Sequence, residues 1–205
     1  MNTFLYYFIP IFFIGYFFSA FILKSIVTSK KIGKSALVLP KDDSAYGLIG
    51  KYFGITILAI FFYILFMMFQ KDAFNSFFEY TFVNCLGIIS CLISFIITVI
   101  SQYQMKDSWR IGIDQTEKTN LITSGMFAFS RNPIFLGMLL SLLGLFLMQP
   151  NYITLFFFII TNILIQIQVR LEEEYLQKIH QQKYQTYKNN VARFFTLSVF
   201  RFRQY

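Results

Sequence analysis

Long apolar segments without charges constrain this chain more than any other feature of its sequence. The chain has 205 residues, of which 56% are hydrophobic and 28 are phenylalanine. A water-soluble domain of this size rarely carries so much apolar surface, and about 20 consecutive apolar residues suffice to cross a bilayer. The sequence therefore predicts an all-α integral membrane protein with one domain, 1–205, and five transmembrane helices at about 4–23, 48–69, 82–100, 133–148 and 152–168.

The last two apolar segments are short, and only Gln149-Pro150-Asn151 separates them. At about 1.5 Å per residue each helix would be near 25 Å long, less than the ~30 Å of a hydrocarbon core. We therefore expect a tight helical hairpin. A basic stretch with periodic apolar residues begins at Glu172, and it predicts an amphipathic helix at the membrane interface after the hairpin.

Small residues recur at spacings of three and four in two of the segments. Such residues allow membrane helices to approach one another closely. Ser90, Ser94 and Thr98 in the third segment and Gly137, Ser141 and Gly144 in the fourth therefore support a compact helical bundle.

The distribution of basic residues predicts the orientation of the chain. With five spans, 17 of the 18 Lys and Arg residues fall on one side, which the positive-inside rule makes cytoplasmic. The N-terminus is then outside and the tail, 169–205, is cytoplasmic, in a bacterial inner membrane or in the endoplasmic reticulum of a eukaryote. Contact with anionic headgroups explains the net charge of +8, so we expect no nucleic-acid partner. No Cys/His spacing suggests a metal site.

A cationic motif precedes the fourth segment and an acidic motif follows the fifth. The first is Arg131-Asn132-Pro133, and the second is Glu172-Glu173-Glu174. Pro133 favours a helix start, where first-turn N–H groups attract anions, and Arg131 can hold a carboxylate through two hydrogen bonds. Glutamates at a membrane boundary suit recognition of hydroxyl or ammonium groups. Two plainer interpretations stay open, an arginine that reaches to the interface and a solvated glutamate face.

These motifs resemble the isoprenylcysteine carboxyl methyltransferase family and the related membrane phospholipid methyltransferases. The resemblance covers about residues 100–195. Asn132 stands where the family pattern has histidine, and Gln181 stands where it has glycine. The positions that match the pattern are Arg131, Pro133, Gly137, Glu172, Glu173, Tyr175, Leu176, Tyr184, Tyr187 and Arg193.

The resemblance implies methyl transfer from S-adenosylmethionine to a lipid-like or prenylated amphiphile at the cytoplasmic face of the membrane. A carboxylate is the favoured acceptor because it needs no general base. Membrane lipids and a hydrophobic substrate are the expected partners. Two alternatives stay open, an NADPH-dependent membrane reductase of similar architecture and a non-catalytic scaffold with the same fold. The implied cofactor-binding set is Arg131, Asn132, Pro133, Gly137, Glu172 and Glu173, and its first two members are also the candidate catalytic residues.

Overall fold

The structure, a computed structural model, describes residues 3–38, 44–70, 75–112 and 120–195. In these ranges the backbone is mainly helical, and its extended part includes one isolated parallel bridge between Leu37 and Ile111. A π-helical segment, Phe18–Leu23, joins the first two α-helices, and a 3-10 turn, Gly125–Ala128, precedes the fifth. The α-helices are α1 (Thr3–Phe17), α2 (Lys24–Ile32), α3 (Ala45–Phe69), α4 (Thr81–Met105), α5 (Pro133–Met148) and α6 (Tyr152–Asn190).

Among the residues that the structure describes, four helical stretches are long and apolar enough to cross a membrane. They are Thr3–Ile32, Ala45–Phe69, Thr81–Ser108 and Tyr152–Asn190. The all-α integral membrane class expected from the sequence is therefore confirmed. α5 is apolar but has only 16 residues, less than a full span requires. The count of five spans and the orientation of the termini accordingly stay predictions.

The helical hairpin expected near the end of the chain is formed by α5 and α6. The Asn151 side chain accepts hydrogen bonds from the backbone N–H groups of Ile153 and Thr154, which caps the start of α6. α6 does not end where its apolar part ends, near Gln168, but continues to Asn190, so that the whole helix has 39 residues. The first part of the expected interfacial helix, up to Gln181, is therefore a direct extension of α6, because a change in polarity marks the membrane edge without interrupting helical hydrogen bonds, and a second helical part follows a bend.

α6 bends at Gln181. The backbone there has φ 45° and ψ −117°, a conformation that residues with a side chain rarely adopt. Gln177 Nε2 donates a hydrogen bond to the Gln181 carbonyl at 3.2 Å. Beyond the bend the helix packs against the segment before α5, through a buried cluster of Tyr184, Tyr187 and Val191 with Leu121 and Leu176.

α4 and α5 pack closely through small residues. The Ser90 hydroxyl donates to the Leu140 carbonyl at 2.8 Å. A Cβ atom added to Gly144 would lie 2.7 Å from the Gly87 carbonyl oxygen, so the two backbones are too close for a larger residue. The small residues of both helices thus serve the close helix approach that the sequence indicates, and the structure shows that these two helices are partners. One buried core then joins α1, α3, α4, α5 and α6 through residues such as Ile9, Tyr63, Cys91, Leu145 and Phe157.

Candidate functional site

The cationic and acidic motifs meet in a buried ion pair. Arg131 Nη2 and Nε donate to Glu173 Oε1 at 2.9 and 3.2 Å. The two side chains are only 8% and 5% exposed. Arg131 directly precedes the start of α5, and Glu173 follows the apolar part of α6. The hairpin therefore returns its two ends to the same place, as the sequence predicts.

Glu173 binds two further side chains. Arg193 Nη2 donates to Glu173 Oε2 at 2.9 Å, and Arg193 Nε donates to Oε1 at 3.2 Å. Asn132 Nδ2 also donates to Oε1, at 3.3 Å. We call Arg131, Asn132, Glu173 and Arg193 the Glu173 cluster. One carboxylate thus joins the N-terminus of α5, the middle of α6 and the segment after α6.

Backbone carbonyls hold the same segment to the start of α5. Arg131 Nη1 donates to the carbonyls of Lys188 and Val191 at 3.0 and 2.6 Å. The Arg131 backbone N–H donates to the Ala192 carbonyl at 3.0 Å. Asn132 Nδ2 also donates to the Arg193 carbonyl at 3.1 Å. The Arg131 guanidinium therefore donates hydrogen bonds to two backbone carbonyls as well as to the Glu173 carboxylate.

Electrostatics keep Glu173 ionised. Burial alone would raise the pKa of its carboxyl, but hydrogen bonds and charge from Arg193 and Arg131 outweigh burial and hold that pKa below its ordinary value. A buried carboxylate with two guanidinium partners is a stable, preorganised element. Both of its oxygens already accept hydrogen bonds from side chains of the protein.

Glu172 has a different environment, although it is the neighbouring residue. Its side chain is only partly exposed, and Gln168 Nε2 donates to its Oε1 at 2.8 Å. Burial raises the pKa of Glu172 to about 7, and the Gln168 bond offsets only part of this rise. Glu174 is exposed. The three consecutive glutamates therefore differ. Glu173 is ionised and hydrogen-bonded on both oxygens, Glu172 has a raised pKa, and Glu174 is at the surface.

The N-terminus of α5 lies beside the Glu173 cluster. Pro133 occupies its first turn and is buried. Asn132, the N-cap residue, makes no side-chain capping bond to α5, and its Nδ2 donates to Glu173 and to the Arg193 carbonyl. The first-turn N–H groups of Ile134 and Phe135 thus lack the cap that an asparagine here usually provides. Such a helix start suits an anionic group.

Gly137 lies apart from these residues, in the contact between α5 and α4. A Cβ atom added to it would lie 3.0 Å from the Ser94 carbonyl oxygen, so Gly137 serves close helix packing. Of the six residues expected to bind a cofactor, the structure brings Arg131, Asn132 and Glu173 into one cluster. Pro133 and Glu172 adjoin that cluster in the chain. Their roles as ligands or catalysts stay predictions.

Two contributors to the site carry weak signals in the sequence. Gln168 precedes Glu172 by four residues, a spacing at which helical side chains meet, and this was the available clue. Arg193 is marked only by its match to the family pattern. Its contact with Glu173 depends on the bend at Gln181, which no local periodicity shows.

A mainly apolar cavity of about 280 Å³ lies between α1, α3, α5 and α6. Its lining includes Phe13, Ile57 and Leu142. Two other lining residues, Ile14 and Leu58, are 41% and 56% exposed, so the cavity opens at the side of the helical bundle. In a membrane protein that side faces lipid chains.

Residues 82–183 match the phospholipid methyltransferase family. The chain belongs to this family. The matched segment runs from α4 into the part of α6 beyond the bend, and so contains Arg131, Glu172 and Glu173 but not Arg193. No curated protein matches the chain significantly. Membership implies a membrane methyltransferase that acts on lipids, in agreement with the resemblance seen in the sequence.

Proposed function

We propose that this protein catalyses methyl transfer from S-adenosylmethionine to a lipid-like amphiphile at the cytoplasmic face of the membrane. The observation that carries the proposal is the Glu173 cluster. It lies largely within the segment that matches the family, and it holds the start of α5 next to the partly buried Glu172. The proposal therefore assigns cofactor binding to this end of the hairpin.

The groups around the cluster fit the charges of S-adenosylmethionine. This cofactor carries a carboxylate, an ammonium and a sulfonium. The N-terminus of α5, which lacks a side-chain cap, suits the carboxylate. Glu172 suits a cation, because a nearby positive charge would favour its ionised form over the protonated form that burial favours. Arg131 and Glu173 would act as positioning residues that keep both elements in place.

The residues of this chain would contribute positioning and exclusion of water. The cofactor supplies an electrophilic methyl group. Transfer to a carboxylate forms a C–O bond and breaks the C–S bond, and the electron pair of that bond stays on sulfur. No proton moves in this reaction, so no general base is required. Orientation of two bound reactants is worth up to about 7–11 kcal/mol of the barrier.

The apolar cavity supports an amphiphilic acceptor. Met138 lines it, six residues beyond Asn132 along α5, which corresponds to about 9 Å of helix. An acceptor with its head at the Glu173 cluster would therefore reach the cavity with its chain. The side opening past Ile14 and Leu58 would admit that chain from the bilayer.

One observation favours an amine acceptor as a second candidate. A phospholipid amine must lose a proton before or during methylation, and a carboxylate whose pKa lies near 7 is suited to accept it. Glu172 is such a group, and the family description names phospholipids. In methylation of an amine, the proton passes from the ammonium group to Glu172, a C–N bond forms and the C–S bond of the cofactor breaks.

Calorimetric titration of the detergent-purified protein with S-adenosylmethionine tests the proposal. We expect saturable binding by the natural sequence and by Glu174→Gln, the matched control at an exposed position. Glu172→Gln should weaken binding by about 10- to 150-fold, because hydrogen bonds to charged groups contribute about 1.5–3 kcal/mol. Absence of binding by the natural sequence would refute the proposal, and NADPH would be the next ligand to titrate. Binding of neither cofactor would favour a scaffold.

Substrate class is tested with membrane lipid fractions and cofactor labelled at the methyl group. Label that is released from the lipid product by mild alkali indicates a methyl ester, while stable label in a headgroup indicates N-methylation. Glu172→Gln separates the two candidates further. It should abolish the dependence of the rate on pH near 7 for an amine acceptor, and it should change only cofactor affinity for a carboxylate acceptor.

A further inference from the structure

Four hydroxyl-bearing side chains line the apolar cavity, and three of them have hydrogen-bond partners within the protein. Tyr16 Oη shares a hydrogen bond with Thr98 Oγ1 at 2.8 Å. Thr56 Oγ1 donates to the Tyr52 carbonyl at 2.8 Å. Ser141 Oγ donates to the Met138 carbonyl, also at 2.8 Å.

Thr161 is the exception. It lines the same cavity from α6, it is only 3% exposed, and its Oγ1 has no hydrogen-bond partner among the described residues. A threonine in a helix usually donates back to the carbonyl of the preceding turn, as Thr56 does. A buried hydroxyl without a partner costs about 1–3 kcal/mol. This hydroxyl is therefore suited to a partner that enters the cavity.

We propose that Thr161 donates a hydrogen bond to an oxygen carried within the chain of the bound amphiphile and so selects among acceptors. The inference rests on the proposed function for the position of the reacting head. Thr161 lies eleven residues before Glu172 on α6, or about 16 Å of helix. An ester carbonyl or a chain hydroxyl at roughly this distance from the head meets the requirement. A prenyl chain of pure hydrocarbon does not.

Equilibrium binding to the purified protein, without S-adenosylmethionine, tests the contact. The probes are a 1-acyl lysophosphatidylethanolamine, its 1-O-alkyl counterpart, the same O-alkyl lipid with a mid-chain hydroxyl, and farnesylcysteine. Thr161→Val removes the hydroxyl while keeping the shape of the side chain. We expect it to weaken binding of the acyl or the hydroxylated probe about three- to tenfold and to leave the plain alkyl and farnesyl probes unchanged. The affected probe identifies the source of the oxygen.

Two variants make the test specific. Thr56→Val makes the same chemical change in the same cavity at a hydroxyl that already has a partner, so it should not distinguish among the probes. Thr161→Ser keeps the hydroxyl and should retain the discrimination. Equal effects of Thr161→Val on all four probes, or no binding of any probe by the natural sequence, would overturn the inference.

The cofactor titration distinguishes failure of this inference from failure of the proposed function. Thr161→Val should bind S-adenosylmethionine as the natural sequence does, because Thr161 lies eleven residues, or about 16 Å along α6, from Glu172. If Thr161→Val changes binding of only some lipids and no cofactor binds, the Thr161 contact is supported and the methyltransferase function is refuted. If the cofactor binds and Thr161→Val affects all lipids equally, the methyltransferase function is supported and the Thr161 contact is refuted.

Discussion

Glu173→Gln tests whether the Glu173 cluster holds the end of the chain to α5. The substitution keeps the size of the side chain but replaces a carboxylate with a neutral amide. The two carboxylate oxygens accept five hydrogen bonds from Arg131, Asn132 and Arg193. An amide nitrogen in place of one oxygen would face donors, and Arg131 would keep a buried charge without its anionic partner.

The magnitude follows from the burial of each partner. Removing one member of a buried ion pair typically costs about 3–5 kcal/mol. Arg131 keeps its bonds to the carbonyls of Lys188 and Val191, which favours the lower end of that range. The Arg193 side chain is 30% exposed, so its ion pair adds about 1 kcal/mol or less. We therefore expect Glu173→Gln to lower the free energy of unfolding by about 3 kcal/mol.

Denaturant unfolding in detergent at pH 7 measures this difference, with Glu174→Gln as the control that should stay within about 0.5 kcal/mol of the natural sequence. The pKa of Glu173 is lowered in the fold, so its contribution is present above the unfolded pKa of about 4.3 and is lost as the pH falls through the folded value. The difference in the free energy of unfolding between the natural sequence and Glu173→Gln should therefore shrink below about pH 4. Equal stability of Glu173→Gln and Glu174→Gln at pH 7 would refute the reasoning.

Three further predictions concern single positions. Gly144→Ala should destabilise the protein by about 1–3 kcal/mol, because the added methyl would lie 2.7 Å from the Gly87 carbonyl oxygen. Gly54→Ala, which has open space around it, is the control and should be neutral or slightly stabilising in the same denaturant-unfolding assay. Gln181→Gly should stabilise by about 1 kcal/mol, since glycine adopts φ 45° without the cost that a side chain brings, and a loss of thermal stability would contradict this. Glu172→Gln should stabilise the cofactor-free protein at pH 8 but not at pH 4. Because the pKa of Glu172 is raised in the fold, its contribution to the free energy of unfolding is complete below the unfolded pKa of about 4.3 and is lost as the pH rises through about 7. An equal effect of Glu172→Gln on stability at pH 4 and pH 8 would contradict the raised pKa.

Much of the fold could be predicted because membrane helices follow from composition and from a few boundary residues. Pro133 starts α5 and Gln149-Pro150-Asn151 ends it, so the predicted segment 133–148 coincides with the helix. The spacing of small residues in α4 and α5 indicated close helix packing, but only the structure shows that these two helices pack against each other. The apolar segments did not predict that α6 continues to Asn190, because hydropathy indicates which residues lie in the hydrocarbon core and not where a helix ends. The bend at Gln181 is a tertiary effect that places a glutamine where glycine would be unstrained.

The candidate site shows a limit of another kind. Sequence reasoning correctly brought Arg131 and Glu173 to the same end of the hairpin and assigned both as ligands of a cofactor; that role stays a prediction, and the structure adds that the two side chains bind each other. A guanidinium beside a carboxylate motif has the same residue types whether it binds a ligand or closes the fold, so only geometry separates the two uses. Adjacent residues on a helix point about 100° apart. Glu173 consequently faces two guanidinium groups and stays ionised, while Glu172 faces Gln168 and is easily protonated. A cationic cofactor would change the protonation of Glu172 and leave that of Glu173 as it is. Under the proposed function, Glu172 is therefore the glutamate whose charge would respond to the ligand, and Glu173 would fix the position of the elements around it.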